Sequence, residues 1–258
     1  MATLPDYAEL HCLSNYSFLR GASHVEELVE RARELGYSAL AITEECSLAS
    51  APRAHLAGKA AGLPIIHGTE LQLEDGPKIV LLAADGRGYA AMSRLISRAR
   101  QRAAKGQYRA SLTDLEGLGG CLAILLPGPN LSDDWLPGAQ GCVDRLGSGR
   151  VWLGVELLRD GDDGRRLRRL QVWGEALGLP LAACGDVHMH RRGRRALQDV
   201  LTAVRHQCTL AEAGFHLAAN GERHLRARAV LASLYPALLL QESRALAQRC
   251  HFTLDSLR

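Results

Sequence analysis

Short apolar runs and helical-period stretches alternate along this chain. The segments YAELHCL (7–13), SALAIT (38–43), LPIIHGTE (63–70), 78–84, CLAILLPG (121–128), VWLGVEL (151–157) and LPLAACGDVH (179–188) read as buried strands. Between them, Val25, Leu28, Val29, Ala32 and Leu35 recur at helical spacing within 23–36. There Ser23 and Glu26 form a capping-box pattern, and Gly36 is a fitting stop. Further helices are expected at 48–61, 88–104 and 163–177, with a short one in 111–120 and a helix or irregular loop over 129–141. In 195–205, Leu197, Val200, Leu201 and Val204 mark a face that should be buried. Seven strands, each followed by a helix or a helix-sized segment, predict an α/β fold with a parallel sheet or barrel. From about 207 the strand pattern stops, and TLAEAGF, RARAVLASL and PALLLQESRALAQRC read as helical throughout.

Composition narrows the class without naming it. The 258 residues suffice for one large α/β domain, and 47% apolar with 23% charged residues is ordinary for a globular protein. No apolar run is long enough to cross a bilayer, and MATLPDYAEL lacks the pattern of a secretory signal, so a cytoplasmic, membrane-free protein is expected. The seven cysteines include no CxxC pair, which disfavours zinc ribbons and disulfide frameworks; Cys121 and Cys184 read as core thiols. A net charge of +3 is too mild to imply nucleic-acid binding. The basic runs at 94–109, 165–170 and 190–195 read first as solvated helix faces and second as a phosphate-facing surface. Walker, GxGxxG and GxSxG motifs are absent.

The chemistry lies at the strand ends. His11, Glu44, Glu70, Asp186 and His188 each fall at or just past the C-terminal end of a predicted strand. In a barrel of this kind those ends form one rim, where reactive groups collect, and His with carboxylates can hold divalent metals. Asp186 and His188 share a face of an extended segment because residues two apart point the same way. A lone strand histidine such as His11 is more often a hydrogen-bonded core residue. Glu44 and Glu45 could equally favour the N-terminal dipole of the following helix. The set is also incomplete: Leu13, Glu45 and Asp160 stand where more histidines would be wanted.

ELHCLSNYSFLRGA, AITEECSLA, IIHGTELQL, CGDVHMHRRGRRALQDVLTAVR and ERHLR, in this order, resemble the PHP (polymerase and histidinol phosphatase) domain of bacterial C-family DNA polymerases. The wording EECS and CGDVHMH resembles the error-prone, translesion branch, the ImuC type. The resemblance implies a distorted seven-stranded (β/α) barrel of PHP type over 1–206 and a helical extension over 207–258 that leads towards a polymerase palm. It also implies a divalent metal cluster that activates water for phosphoester hydrolysis. On that pattern His11, Glu70, Asp186 and His188 match ligands, and Glu44 stands for an aspartate. Leu13 and Glu45 replace histidines, and the middle ligands are not found near 126–128 or 158–160. Two-metal hydrolysis needs a complete ligand set. The expectation is therefore a degenerate, structural site with no catalysis of its own and no stably bound cofactor, or zinc or manganese at low occupancy; the alternatives are a metal-dependent phosphoesterase or 3'-5' exonuclease with a reduced ligand set, and a protein-interaction module within the polymerase assembly. The expected partners are the rest of the polymerase chain, DNA through the whole enzyme, and other translesion or replication factors. Without an ion, His11 and His188 should donate to the carboxylates, and an arginine should enter the pocket.

Overall fold

The computed structural model describes residues 4–257. Seven strands form one sheet in sequence order: β1 (Ala8–Glu9), β2 (Ala39–Glu45), β3 (Ile65–Gln72), β4 (Lys78–Ala83), β5 (Cys121–Leu126), β6 (Val151–Glu156) and β7 (Leu181–Cys184). A bridge between Cys12 and Val187 joins its two margins, so the sheet curls into a nearly closed barrel. The alternation of side chains sorts the core into two layers. Ala8, Leu10, Ala41, Ile66, Val80 and Ile124 belong to an inner cluster. Tyr7, Leu40, Ile42, Leu71, Ile79 and Leu125 pack outward with the helices.

The sheet departs from the expected parallel arrangement at one place. β4 runs antiparallel to both β3 and β5, while the other pairs are parallel. The segment between β3 and β4 has only five residues, 73–77, too few for the crossover that parallel neighbours require.

The helices are α1 (Val25–Glu34), α2 (Ala51–Ala61), α3 (Gly86–Gln101), α4 (Trp135–Leu146), α5 (Asp163–Leu177), α6 (Arg195–Arg205), α7 (Arg228–Leu234) and α8 (Ala237–Ala247). Helix α1 buries Val25, Leu28, Val29 and Ala32, as its pattern predicts. Its cap shifts by one residue: His24 takes the cap position and its amide donates to Glu27, while Ser23 bonds to His190 instead. Gly62 closes α2 in the left-handed conformation, φ 65°. The segment 111–120 holds only a 3-10 turn at Leu112–Leu115, and the open choice over 129–141 resolves into a loop followed by α4.

Two further expectations fail. The tail is not helical throughout: TLAEAGF forms turns and a 3-10 turn, and regular helix resumes only with α7. The apolar face of α6 is not buried. Leu197, Val200 and Val204 are exposed, and the residues that α6 buries are Gln198 and Ala203. The extension nevertheless belongs to the barrel's packing. Helix α8 lies against β1 and β7, and its Leu246 and Ala247 join the inner cluster.

Candidate metal centre at the barrel rim

β1 is short for a chemical reason. The amides of Leu10 and His11 both turn to the carboxylate of Glu9, which is buried and also accepts from the Tyr7 hydroxyl and the Gly185 amide. This local break lets His11 follow Leu10 toward the inside. Gly185 is required at that crossing: a Cβ there would meet the Glu9 carboxylate at 2.2 Å.

His11 then sits between two carboxylates. Its Nε2 lies 2.7 Å from Glu70 and its Nδ1 2.8 Å from Glu156. Asp186 is 3.7 Å from the same Nδ1, and His188 Nε2 is 3.1 Å from Asp186. The rim thus brings together His11, Glu70, Asp186 and His188. Asp186 adopts a left-handed backbone, φ 45°, a conformation that Asp and Asn tolerate best after glycine.

Glu44 does not join them. Glu45 pairs with Glu70 in the register between β2 and β3, so the alternation sends Glu44 to the opposite face. There its carboxylate is held by the hydroxyls of Ser14 and Ser17 and the Ser14 amide. Glu45 takes the rim side. Asp160 lies in an exposed loop, and Leu13 is fully buried. Two kinds of rim residue escape the sequence reading. Glu156 is the last residue of β6, so the strand-end rule that found Glu70 could have found it. The cations had no such signal.

Those cations come from separated segments. Arg20, from the loop after β1, bridges Glu70 and Glu45, at 3.0 Å from the latter. Lys78, at the start of β4, lies 3.5 Å from Glu70. Arg205 is 3.7 Å from Glu45. Arg223, in the ERHLR segment of the extension, pairs with Asp186.

The electrostatics follow from this pairing. Burial pushes the Glu70 carboxyl up, but the His11 hydrogen bond and the Lys78 and Arg20 charges hold it well below the usual range. Glu156 is also lowered, because its contact with His11 outweighs its burial. Burial pulls His11 down, yet hydrogen bonds to Glu156 and Glu70 leave it raised. A carboxylate at each ring nitrogen favours the protonated imidazole, which can donate from both. His188 behaves oppositely: burial and the nearby Arg20 charge lower it to about 3, so it meets Asp186 as a neutral imidazole. Burial raises Glu44 despite its serine partners.

Ligand atoms of His11, Glu156 and Asp186 lie within 4.8 Å of one another, so the three could hold a metal ion by position alone. Their chemistry fits one poorly. A metal ligand must offer a lone pair, and both His11 nitrogens already face carboxylates. Asp186 is engaged by Arg223.

Residues 9–127 match the model of the PHP domain. The chain carries a PHP domain. It is 53% identical over 257 residues to a protein named error-prone DNA polymerase in Methylococcus capsulatus, which covers 98% of this chain and 24% of that one. Proteins of the same name in Pseudomonas fluorescens and Dechloromonas aromatica are 54% and 52% identical, over 98% and 99% of the chain. The chain spans about a quarter of the length of these relatives. Among solved structures, a candidate metal-dependent phosphoesterase from Bifidobacterium adolescentis superposes with a TM-score of 0.54 at 19% identity, over 71% of this chain and 89% of that one. An amidohydrolase from Chromobacterium violaceum superposes with a TM-score of 0.53 at 17% identity, over 71% and 88%. At such identities these two likenesses concern the PHP-like barrel fold. Among the described residues, no helix is long and apolar enough to cross a membrane.

Proposed function

We propose that this chain is the PHP module of an error-prone, translesion DNA polymerase, and that its rim is structural rather than catalytic. One observation carries the second part: the acidic rim is already neutralised by the protein's own cations. Arg20, Lys78 and Arg223 contact Glu70 and Asp186, and His11 joins Glu70 to Glu156. Buried carboxylates that would otherwise repel one another are held together by these partners. A divalent ion entering here must displace a guanidinium and deprotonate His11. His11, Glu70, Asp186 and His188 are thus vestigial ligand positions, with Glu44 withdrawn into a serine cage, and no metal is held stably.

In this reading residues 1–206 are the barrel and 207–258 an extension that supplies Arg223 to the rim and leads towards the rest of the polymerase. DNA synthesis belongs to that remainder, in the cytoplasm, with DNA and other translesion or replication factors as partners of the whole enzyme. The chain alone should hydrolyse neither single-stranded DNA nor a chromogenic phosphate ester, with or without manganese, and should not extend a primer. Hydrolysis that disappears in His11→Ala or Asp186→Ala would overturn the structural reading; primer extension by this chain alone would overturn the module assignment. The competing reading is a metal-dependent phosphoesterase with a reduced ligand set. Its support is the spacing of His11, Glu156 and Asp186, and the same assay decides between the two.

A further inference from the structure

Helix α6 is turned inside out relative to the other amphipathic helices. Leu197, Val200, Leu201 and Val204 recur on one face, and three of them are 40%, 42% and 55% exposed in that order for Leu197, Val200 and Val204. The inward positions are Gln198 and Ala203, and the buried Gln198 Oε1 has no partner among the described residues. The loop that follows adds an exposed Leu210 and a fully exposed Phe215. Single apolar side chains on a surface are ordinary, but a helical stripe with its polar side turned inward marks a contact surface.

We propose that the α6 stripe is covered by the remainder of a polymerase-length chain, through an apolar surface. This rests on the reading of the chain as a polymerase module. One observation chooses that occupant. The relatives are about four times as long as this chain, so most of their residues lie outside it. Charge does not choose it, because Arg191, Arg192, Arg195 and Arg205 beside the stripe are already paired with Glu34, Glu222, Asp199 and Glu45.

Thiol labelling tests this in the polymerase-length protein and in the 258-residue chain. Val204→Cys, and separately Leu197→Cys, are made with Cys208→Ser and Cys250→Ser, and maleimide reaction rates are compared. Val172→Cys serves as reference, because Val172 on α5 is 55% exposed, the same as Val204. Circular dichroism melting identifies any variant that fails to fold; the other stripe position then decides. The expected result is labelling at least about ten-fold slower in the long protein at 204 or 197, with little change at 172. Equal rates in both proteins, or equal protection at 172 and 204, would overturn the proposal. Protection within the 258-residue chain that grows with its concentration would also overturn it, because a second copy would then be the occupant. Primer extension by the long protein is measured separately. Its absence alongside protection at 204 would remove the polymerase reading and leave the covered face standing.

Discussion

Glu44 and Glu70 sit on neighbouring strands, are both buried, and carry the same charge group, yet they solve burial in opposite ways. Glu70 is surrounded by His11, Arg20 and Lys78, and its carboxyl is held well below the usual range. Glu44 has only serine hydroxyls and an amide, and burial raises it. The difference arises from one step in register. Glu45 shares Glu70's side of the sheet, so Glu44 must face away. Proximity in sequence to a metal-motif position therefore does not place a carboxylate at the rim; strand parity does.

The largest expected effect is at Glu70. Glu70→Gln removes the anion that His11, Arg20 and Lys78 share, and breaking a buried pair in this way should cost about 3–5 kcal/mol. Urea denaturation at pH 7 measures it, and a cost comparable to that of Glu44→Gln would erase the contrast.

A histidine outside the rim sets the acid background against which the two carboxylates are compared. His67 packs against Tyr89 and Phe252, and burial, with the nearby His55, lowers it to about 4. Its folded value lies below its unfolded value, so both states are neutral above about pH 6.5. As pH falls from there, the unfolded chain binds a proton first, and His67 should contribute a decline of roughly 3 kcal/mol that is complete near pH 4, on top of the decline that His188 contributes in the same direction. His67→Leu should flatten that slope. An unchanged slope would show that the acid limb comes from elsewhere.

Asp186→Asn tests the Arg223 side of the rim. Asparagine tolerates the left-handed backbone, so the change isolates the charge, and a loss of about 1–3 kcal/mol is expected with no effect on any chemistry. No change in the urea midpoint would argue against the Arg223–Asp186 pair. The smallest effect belongs to Glu44→Gln, at under about 1 kcal/mol near neutral pH, because the amide can still hydrogen-bond to the serines. The sign with pH also differs between the two carboxylates. A raised carboxyl favours the fold below its unfolded pKa and loses that benefit as pH rises through its folded value. A lowered one, such as Glu70, contributes above its unfolded pKa and loses stability as pH falls. Parallel pH profiles for the Glu44→Gln and Glu70→Gln differences would break the comparison.

Much of this molecule was legible in its residues. The seven strand segments overlap those observed, and the limits expected for α5 and α6 match. His11, Glu70, Asp186 and His188 were found because a strand's end fixes where its last side chains stand, whatever fills the site. Arg20, Lys78 and Arg223 were not individually foreseen: they arrive from a loop, a strand start and the extension, and no local periodicity marks such convergence. Helix α6 shows a second limit. Its pattern identified the apolar face correctly, as α1's did, but a pattern cannot say what covers a face. The antiparallel β4 was missed for a simpler reason, since strand direction follows from connector length more than from strand composition.

The central claim is that protein cations, rather than divalent ions, hold the rim together. The most direct test is elemental analysis of the purified chain, paired with thermal melting in chelator and in added zinc or manganese. The account predicts substoichiometric metal and a melting temperature indifferent to all three additions. One or more equivalents of tightly held metal, with a melting temperature that falls in chelator and recovers on adding the ion, would contradict it.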